Sequence, residues 1–333
     1  MKPLVSILIP AYNAEDTIAQ TLQSAIAQTW PRKEIILVDD GSTDRTAEVA
    51  QRFGSNVTVV SSEHRGAQVA RNHAFRLSQG EYIQWLDADD LLAPDKIERQ
   101  LAALRESDGR RILLSSSWAF FYYRTRHARF VPTSLWQDLS PIEWLLKNMS
   151  ENVWMANTTW LTSRELADAA GPWDTGIHHN QDGEYFARVL LASEGTRFVP
   201  GARVFYRAPT RNSTSYIGNS EKKVGTFLCT TKLQMKYIRS LEESERVRKA
   251  CLAYLQHRYD FFYPERPNLL AELQCLASQF QGQLEEPRFA GKYALVKSVL
   301  GFKAARRAYG AVYELKRECF RSFDRAMYSL TGS

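Results

Sequence analysis

Cysteine is scarce in this sequence. The four cysteines, Cys229, Cys251, Cys275 and Cys319, lie far apart along the chain, and no two of them have the short spacing of a zinc or redox pair. Reduced thiols are therefore expected, as in a cytoplasmic protein, and the spacing argues against a cysteine metal centre.

Long apolar runs are also missing. No stretch approaches the roughly 18 consecutive apolar residues that a membrane-spanning helix requires. Pro10 and Asn13 interrupt the apolar N-terminus, and no small-residue cleavage site follows, so we expect a first strand and not a signal peptide. The 44% of hydrophobic and 24% of charged residues are typical of a globular protein.

Neither sign of charge dominates the N-terminal part. Residues 1–220 carry 23 Lys and Arg against 25 Asp and Glu, a balance of −2, whereas residues 221–333 carry 20 against 12, a balance of +8. Residues 288–325 hold ten basic and three acidic residues, interleaved with apolar and aromatic ones. The 333 residues are therefore expected to form a near-neutral part followed by a basic, helical part.

Strand-like and helix-like segments alternate over the first 115 residues. In the first helical segment Ile18, Leu22 and Ile26 share one face, with Asn13 as the expected N-cap and Asp16 in the first turn. Such alternation predicts βαβ units and a mostly parallel sheet, whose ligands bind beyond the carboxyl ends of the strands. The predicted strands are residues 4–9, 34–38, 57–60, 82–86 and 112–116. The second predicted helix begins after Ser42 or Thr43, the third covers residues 67–77, and the fourth begins at Pro94.

Aspartates follow two of these strands, in "VDDGSTD" and in "LDADD". Crowded carboxylates repel one another, and a hard cation such as Mg²⁺ or Mn²⁺, shared with substrate phosphates, relieves that repulsion. A lone Asp-x-Asp is more often a solvated turn or a cap, but two acidic strand ends in one sheet favour a site. Asp87 and Asp89 are the candidates, while Asp90 is expected to support the turn and Asp95 to lie in the first turn of the next helix.

Three segments carry a family resemblance: "VSILIPAYNAEDTIAQTLQSAIAQTWPRKEIILVDDGSTDRT", "GAQVARNHAF" and "GEYIQWLDADDLLAPDKI". Together they resemble the family 2 glycosyltransferases, which have the α/β GT-A fold; the match is nearly continuous over residues 4–100 and looser to about residue 210. The resemblance implies an inverting enzyme with a nucleotide-sugar donor, most often a UDP-sugar, and Mn²⁺ or Mg²⁺. The Gln-x-x-Arg-Trp motif of processive members is absent, so transfer of one sugar per encounter is expected.

The same resemblance implies a binding site for the base of the nucleotide. Pro10, Ala11 and Tyr12, after the first strand, would pack on the base. Asp40 would accept a hydrogen bond from a uracil ring, and Asp39 would support the turn.

A phosphate and metal site is implied beside it. Arg71 would lie near the nucleotide, Asp87 would face the ribose or the sugar, and Asp89 would bind the metal ion. Arg207 and Arg211 are candidates for contacts with the diphosphate by bidentate pairing, although a solvated basic loop is an equal alternative.

An inverting transfer also needs a general base for the acceptor hydroxyl. The family places a carboxylate about a hundred residues after the Asp-x-Asp, where this chain has Asp182, preceded by Gln181 instead of the commoner acidic residue. Asp182 is the expected base, with Glu184 as second and Asp174 as third choice; the alternative for Asp182 is a helix N-cap. Trp154 is a candidate acceptor contact, although core packing is the commoner role of tryptophan.

These expectations divide the chain into a catalytic domain, residues 1–220, and a basic helical region, residues 221–333. Within the first, residues 1–115 would bind the nucleotide sugar and 116–220 the glycan or lipid-linked acceptor. The tail at 288–325 would pack as a solvated helix or lie on an anionic membrane surface, and no motif indicates nucleic-acid binding. The second hypothesis is a catalytically silent sugar-nucleotide-binding or membrane-peripheral scaffold of the same fold.

Overall fold

The structure is a computed structural model that describes residues 2–104, 110–209, 217 and 220–331. The chain forms two compact units. The first comprises Met1–Phe121, Ala128–Asn148 and Val153–Glu242, and the second comprises Tyr122–His127, Met149–Asn152 and Glu243–Ser333.

Strands and helices alternate along the first unit, and helices make up most of the second. The strands are β1 (Val5–Ala11), β2 (Lys33–Asp39), β3 (Thr58–Ser61), β4 (Tyr82–Trp85), β5 (Leu91–Leu92), β6 (Ile112–Phe121), β7 (Thr162–Ser163) and β8 (Gly195–Arg207). The helices are α1 (Ile18–Ile26), α2 (Thr46–Gln51), α3 (Ala67–Leu77), α4 (Lys96–Ala102), α5 (Pro141–Glu151), α6 (Arg164–Ala170), α7 (Gln181–Ala192), α8 (Glu221–Leu241), α9 (Glu245–Phe262), α10 (Pro267–Gln279) and α11 (Lys292–Thr331).

The described strands form two sheets. The larger has the order β3-β2-β1-β4-β7, in which the first four strands run parallel and β7 is antiparallel. All seven residues of β1 are buried, as expected for a strand covered on both faces. The predicted α/β fold with a mostly parallel sheet and a helical C-terminal region is confirmed.

The smaller sheet has the order β5-β8-β6. β6 runs parallel to β8 with a register shift between Ser116 and Ser117, and β5 is antiparallel to β8. The strand predicted at 112–116 therefore extends to Phe121 and pairs in this second sheet. Its last residue, Phe121, is the register partner of Arg207 at the end of β8.

The first helix starts later than predicted. α1 begins at Ile18 after Thr17, so Asn13 is not its N-cap and Asp16 lies before it. Asn13 instead joins two strand-end loops: its Oδ1 accepts a hydrogen bond from Thr43 N at 2.8 Å, and its own N donates to Ser42 Oγ at 2.9 Å. These long-range bonds, with a positive φ of 48°, outweigh the local capping preference.

Two further helices also start later than the sequence predicts. α2 begins at Thr46, whose N donates to Asp44 Oδ1 at 2.9 Å, so neither Ser42 nor Thr43 caps it. α4 begins at Lys96, and Asp95 occupies its N-cap position with the carboxylate turned to Arg99.

A buried ion pair ties the parts of the second unit together. Arg124 Nε lies 2.7 Å from Asp324 Oδ1, and Asp324 Oδ2 accepts hydrogen bonds from the N of Tyr123 and of Arg124 at 2.9 and 3.1 Å. α11 is interrupted at Gly301, where φ is 81°. Over the described ranges, we find no helix that is both long enough and apolar enough to span a bilayer.

Candidate active site

Tyr12 is the first residue of the loop that follows β1. Pro10 and Ala11 are buried, whereas Tyr12 is exposed and stacks on His64, with ring centroids 4.0 Å apart and an interplanar angle of 23°. His64 Nδ1 in turn lies 2.9 Å from Asp40 Oδ2. The sequence reasoning missed His64, since only the fold brings the loop after β3 against Tyr12.

Asp39 ends β2 and Asp40 follows it; both are buried, but their carboxylates have different surroundings. Asp40 accepts hydrogen bonds on both oxygens, from Arg65 N at 2.9 Å and Gly66 N at 2.8 Å. Asp39 uses Oδ1 to accept from Ser42, and its Oδ2 has no hydrogen bond to any residue the structure describes. The carboxylate with spare acceptor capacity is therefore that of Asp39.

Arg71 joins the two halves of the site. Its Nη2 lies 2.7 Å from Asp87 Oδ1, its Nη1 donates to Gln181 Oε1 at 3.1 Å, and its guanidinium lies 4.5 Å from the centre of the Trp173 ring. Asn157 Nδ2 also donates to Asp87 Oδ1, at 3.2 Å. Gln181, noted in the sequence as a departure from an acidic pair, thus gives Arg71 a neutral acceptor.

The loop after β4 is fastened to the end of β8. Arg207 donates from Nε to the main-chain oxygen of Asp89 at 2.8 Å and from its N to Asp90 Oδ1 at 2.9 Å. Asp90 Oδ2 accepts from Thr158 Oγ1 at 2.7 Å. Asp90 is therefore a buried support of the turn, and the predicted diphosphate partner Arg207 also has a structural part. The other predicted arginine, Arg211, lies outside the described residues.

The surroundings of Asp89 disfavour the ionised form of its carboxyl group. Burial, and then the neighbouring Asp87 carboxylate, raise the pKa of Asp89 from 3.8 to about 6, against a smaller opposing effect of Arg207. A cation at this carboxylate would compensate both causes.

The three base candidates lie in three different environments. Asp182 is the second residue of α7, and burial, followed by the Asp87 charge, raises the pKa of Asp182 while Arg71 opposes the shift. Glu184 binds Arg188 with Oε1 at 2.7 Å and Oε2 at 2.9 Å and accepts from Tyr237 at 2.8 Å. Asp174 Oδ1 accepts from a backbone N–H two residues on, in a turn.

Tyr206 is a second residue that the sequence reasoning missed. Burial and the charges of Asp90, Asp182, Asp87 and Asp89, in that order, raise the pKa of Tyr206, so its hydroxyl stays protonated beside the carboxylates. The predicted acceptor contact Trp154 is exposed, and its ring centroid lies 5.6 Å from that of Tyr206.

The donor set fits a divalent ion held jointly with a diphosphate. Over the described ranges, no group of three or more His, Cys, Asp or Glu residues gathers to hold a metal ion. Mg²⁺ sites commonly use only one or two carboxylates together with substrate phosphates. Asp89, assisted by Asp87, offers that kind of incomplete, acidic oxygen site.

Comparison with known proteins identifies similar chains and folds. Residues 6–141 match the family model described as glycosyl transferase family 2. The glycosyltransferase TuaG of Bacillus subtilis is 44% identical over 109 residues, which cover 32% of this chain and 43% of TuaG. The chain spans about two fifths of the length of the first curated relatives that it matches.

Solved glycosyltransferases share the fold at low identity. S. aureus TarS 1–349, in complex with UDP-GlcNAc, has a TM-score of 0.67 at 18% identity, over 83% of this chain and 81% of that one. The mannosyltransferase PcManGT from Pyrobaculum calidifontis, in complex with GDP-Man and Mn²⁺, has a TM-score of 0.55 at 20% identity, over 100% and 88%. Residues 6–141 are therefore similar to glycosyl transferase family 2, and the chain has the GT-A fold of these solved glycosyltransferases.

Proposed function

We propose that the protein is an inverting glycosyltransferase that moves one sugar from a nucleotide-diphosphate sugar to an acceptor hydroxyl. The observation that carries the proposal is the gathering of Asp87 and the α7 start around Arg71, beyond the carboxyl end of β4. The guanidinium of Arg71 thereby joins the segment proposed to bind the donor to the segment that carries the proposed base. The match of residues 6–141 to the family model supports the same reaction class.

The donor is proposed to be a UDP-sugar. Tyr12, stacked on His64, offers an exposed aromatic edge and face where a base can pack, above the buried Pro10 and Ala11. Either Asp39 or Asp40 would accept from the uracil N–H, and the free Oδ2 of Asp39 favours Asp39. The TarS structure contains UDP-GlcNAc and the PcManGT structure GDP-Man, so the nucleotide itself is a point to test.

The donor diphosphate is proposed to be held with Mn²⁺ or Mg²⁺ at Asp89, while Asp87 faces the ribose or the sugar. The ion would act as a Lewis acid that neutralises charge on the departing diphosphate. Arg71 keeps Asp87 in place and adds positive charge to the phosphate side. Arg207 holds the main chain of Asp89 through a hydrogen bond from its Nε.

Asp182 is proposed as the general base. The acceptor oxygen forms a bond to the anomeric carbon, the bond from that carbon to the diphosphate oxygen breaks with its electron pair, and the acceptor proton passes to Asp182. Displacement in one step inverts the anomeric configuration. Glu184 is less suited to this task, since Arg188 and Tyr237 already occupy its oxygens.

The decisive assay measures UDP release from UDP-GlcNAc by the full chain with Mn²⁺, beside binding of UDP by calorimetry. We expect Asp89→Ala to abolish Mn²⁺-dependent turnover, while the control Asp95→Ala, which loses only a surface pair with Arg99, retains it. Equal turnover by wild type and Asp89→Ala contradicts the metal assignment. Binding of UDP without any turnover by wild type supports the catalytically silent alternative.

A peripheral membrane location is proposed for α11. Nine large apolar side chains of this helix are exposed, among them Leu295, Val299, Phe320 and Phe323. Basic residues outnumber acidic ones along 288–325, which suits an anionic surface and a lipid-linked or other glycan acceptor. Sedimentation with phosphatidylglycerol vesicles, lost in Phe323→Glu and at high salt, supports this location; equal sedimentation of the variant contradicts it.

A further inference from the structure

Four aromatic rings form a compact cluster in the first unit. Trp118, Phe120, Trp154 and Tyr206, here called the aromatic cluster, have all six pairwise centroid distances between 4.4 and 6.2 Å. Phe120 is 48% and Trp154 40% exposed. Two of the four rings are therefore open to solvent, where a ligand can cover them.

The fold builds the cluster from three separate segments. Trp118 and Phe120 lie two residues apart in β6 and so point to one face, and Tyr206 is the register partner of Phe120 in β8. Trp154 comes from the segment after α5. Three of the four rings are thus anchored on the paired strands β6 and β8.

The same segments reach the carboxylates. Three residues beyond Trp154, Asn157 donates to Asp87, and directly after Tyr206, Arg207 donates to the main chain of Asp89. Tyr206 also lies within electrostatic range of Asp182, the proposed base. The aromatic cluster therefore borders the place where an acceptor hydroxyl must be presented.

We propose that the aromatic cluster is the acceptor subsite and that it binds a saccharide ring by stacking, with Trp154 and Phe120 as the contact surface. This inference rests on the proposed glycosyl transfer and names the class of acceptor group that this site takes. A pyranose ring has a C–H face that packs on an aromatic ring and a rim of hydroxyl groups that need polar partners.

Polar partners for such a rim are present beside the rings. Trp118 Nε1 has no hydrogen-bond partner among the described residues, and the neighbouring Tyr206 ring, with its centroid 5.9 Å from that of Trp118, carries a hydroxyl donor. A purely apolar ligand, such as a prenyl chain, would leave both donors unused. The combination favours a saccharide over a lipid tail.

The test uses the full chain, saturated with UDP and Mn²⁺, on a glycan microarray that includes bacterial oligosaccharides. The dissociation constant of the best-bound glycan is then measured for each variant by intrinsic fluorescence, beside that of UDP by calorimetry. We expect Trp154→Ala and Phe120→Ala to weaken glycan binding about tenfold or more without weakening UDP binding. Trp154→Phe, which keeps a ring, should lose less.

Phe261→Ala serves as the matched control, because Phe261 is an exposed aromatic residue, 54% exposed, in the second unit. The inference is overturned if Trp154→Ala binds the glycan as tightly as wild type, or if wild type binds UDP but no glycan. It is also overturned if the variants lose only binding to vesicles that contain a polyprenyl phosphate. Failure of wild type to bind UDP contradicts the proposed function instead.

Discussion

Replacing Asp89 with asparagine is expected to stabilise the protein while it destroys metal-dependent function. Burial and the Asp87 charge raise the pKa of Asp89 to about 6 in the folded state, above its value of 3.8 in a model peptide. A carboxyl whose pKa rises on folding favours the folded state fully below pH 3.8, and this contribution is lost as the pH rises through about 6. At neutral pH the ionised Asp89 therefore lowers the free energy of unfolding.

The size of the effect follows from the shift. About two pH units correspond to about 3 kcal/mol at 1.36 kcal/mol per unit. Because the Asp89 side chain keeps part of its contact with water, we expect Asp89→Asn to raise the free energy of unfolding by about 1–3 kcal/mol at about pH 7.5. At about pH 5, where the folded wild type is mostly protonated at this position, the gain should fall to about half.

Urea denaturation in the presence of a chelator measures the change in the free energy of unfolding at each of the two pH values. A second series with Mn²⁺ and UDP should stabilise wild type more than Asp89→Asn, since the variant keeps the proposed base site and loses the proposed metal ligand. Asp95→Asn, on the surface beside Arg99, controls for a general effect of removing one negative charge. An Asp89→Asn protein that is no more stable than wild type at about pH 7.5 contradicts the electrostatic reasoning.

Three further substitutions test other parts of the structure. Asp182→Asn should abolish sugar transfer and leave the affinity for UDP unchanged. Because burial raises the pKa of Asp182, the transfer rate of the wild type should increase with pH until that carboxyl is ionised. A flat pH–rate profile contradicts the role of base. Asp324→Ala, which leaves Arg124 buried without its partner, should cost about 3–5 kcal/mol in urea denaturation, and a loss below about 1 kcal/mol contradicts this. Burial raises the pKa of Asp324, but the hydrogen bonds from Arg124 and from two backbone N–H groups lower it by more, so the net change is downward. The ionised Asp324 therefore stabilises the folded state above pH 3.8, and this stabilisation is lost as the pH falls below that value. Tyr12→Ala should weaken UDP binding about tenfold, as loss of one stacked base does, whereas Tyr12→Phe should not; calorimetry with UDP decides.

The sheet and its acidic edge could be predicted because both are local properties of the sequence. Buried parallel strands appear as short apolar runs, and the aspartates directly follow two of them, so alternation along the chain was enough to place them at one edge. The starts of α1, α2 and α4 could not be predicted in the same way. Asn13 looked like a helix cap, but it bonds to Thr43, thirty positions away, and such a partner leaves no mark in the local sequence.

The site residues likewise include some that the local sequence predicts and some that only the fold reveals. The sequence by itself determined the parallel sheet, the carboxylates beyond β2 and β4, and the family resemblance, since each depends on neighbours along the chain. Only the tertiary structure decided that Gln181 is bound to Arg71, that His64 stacks on Tyr12, and that Tyr206 stands among the carboxylates. These contacts join residues tens to more than a hundred positions apart, and burial and charge at a site depend on which distant segments the fold packs around it.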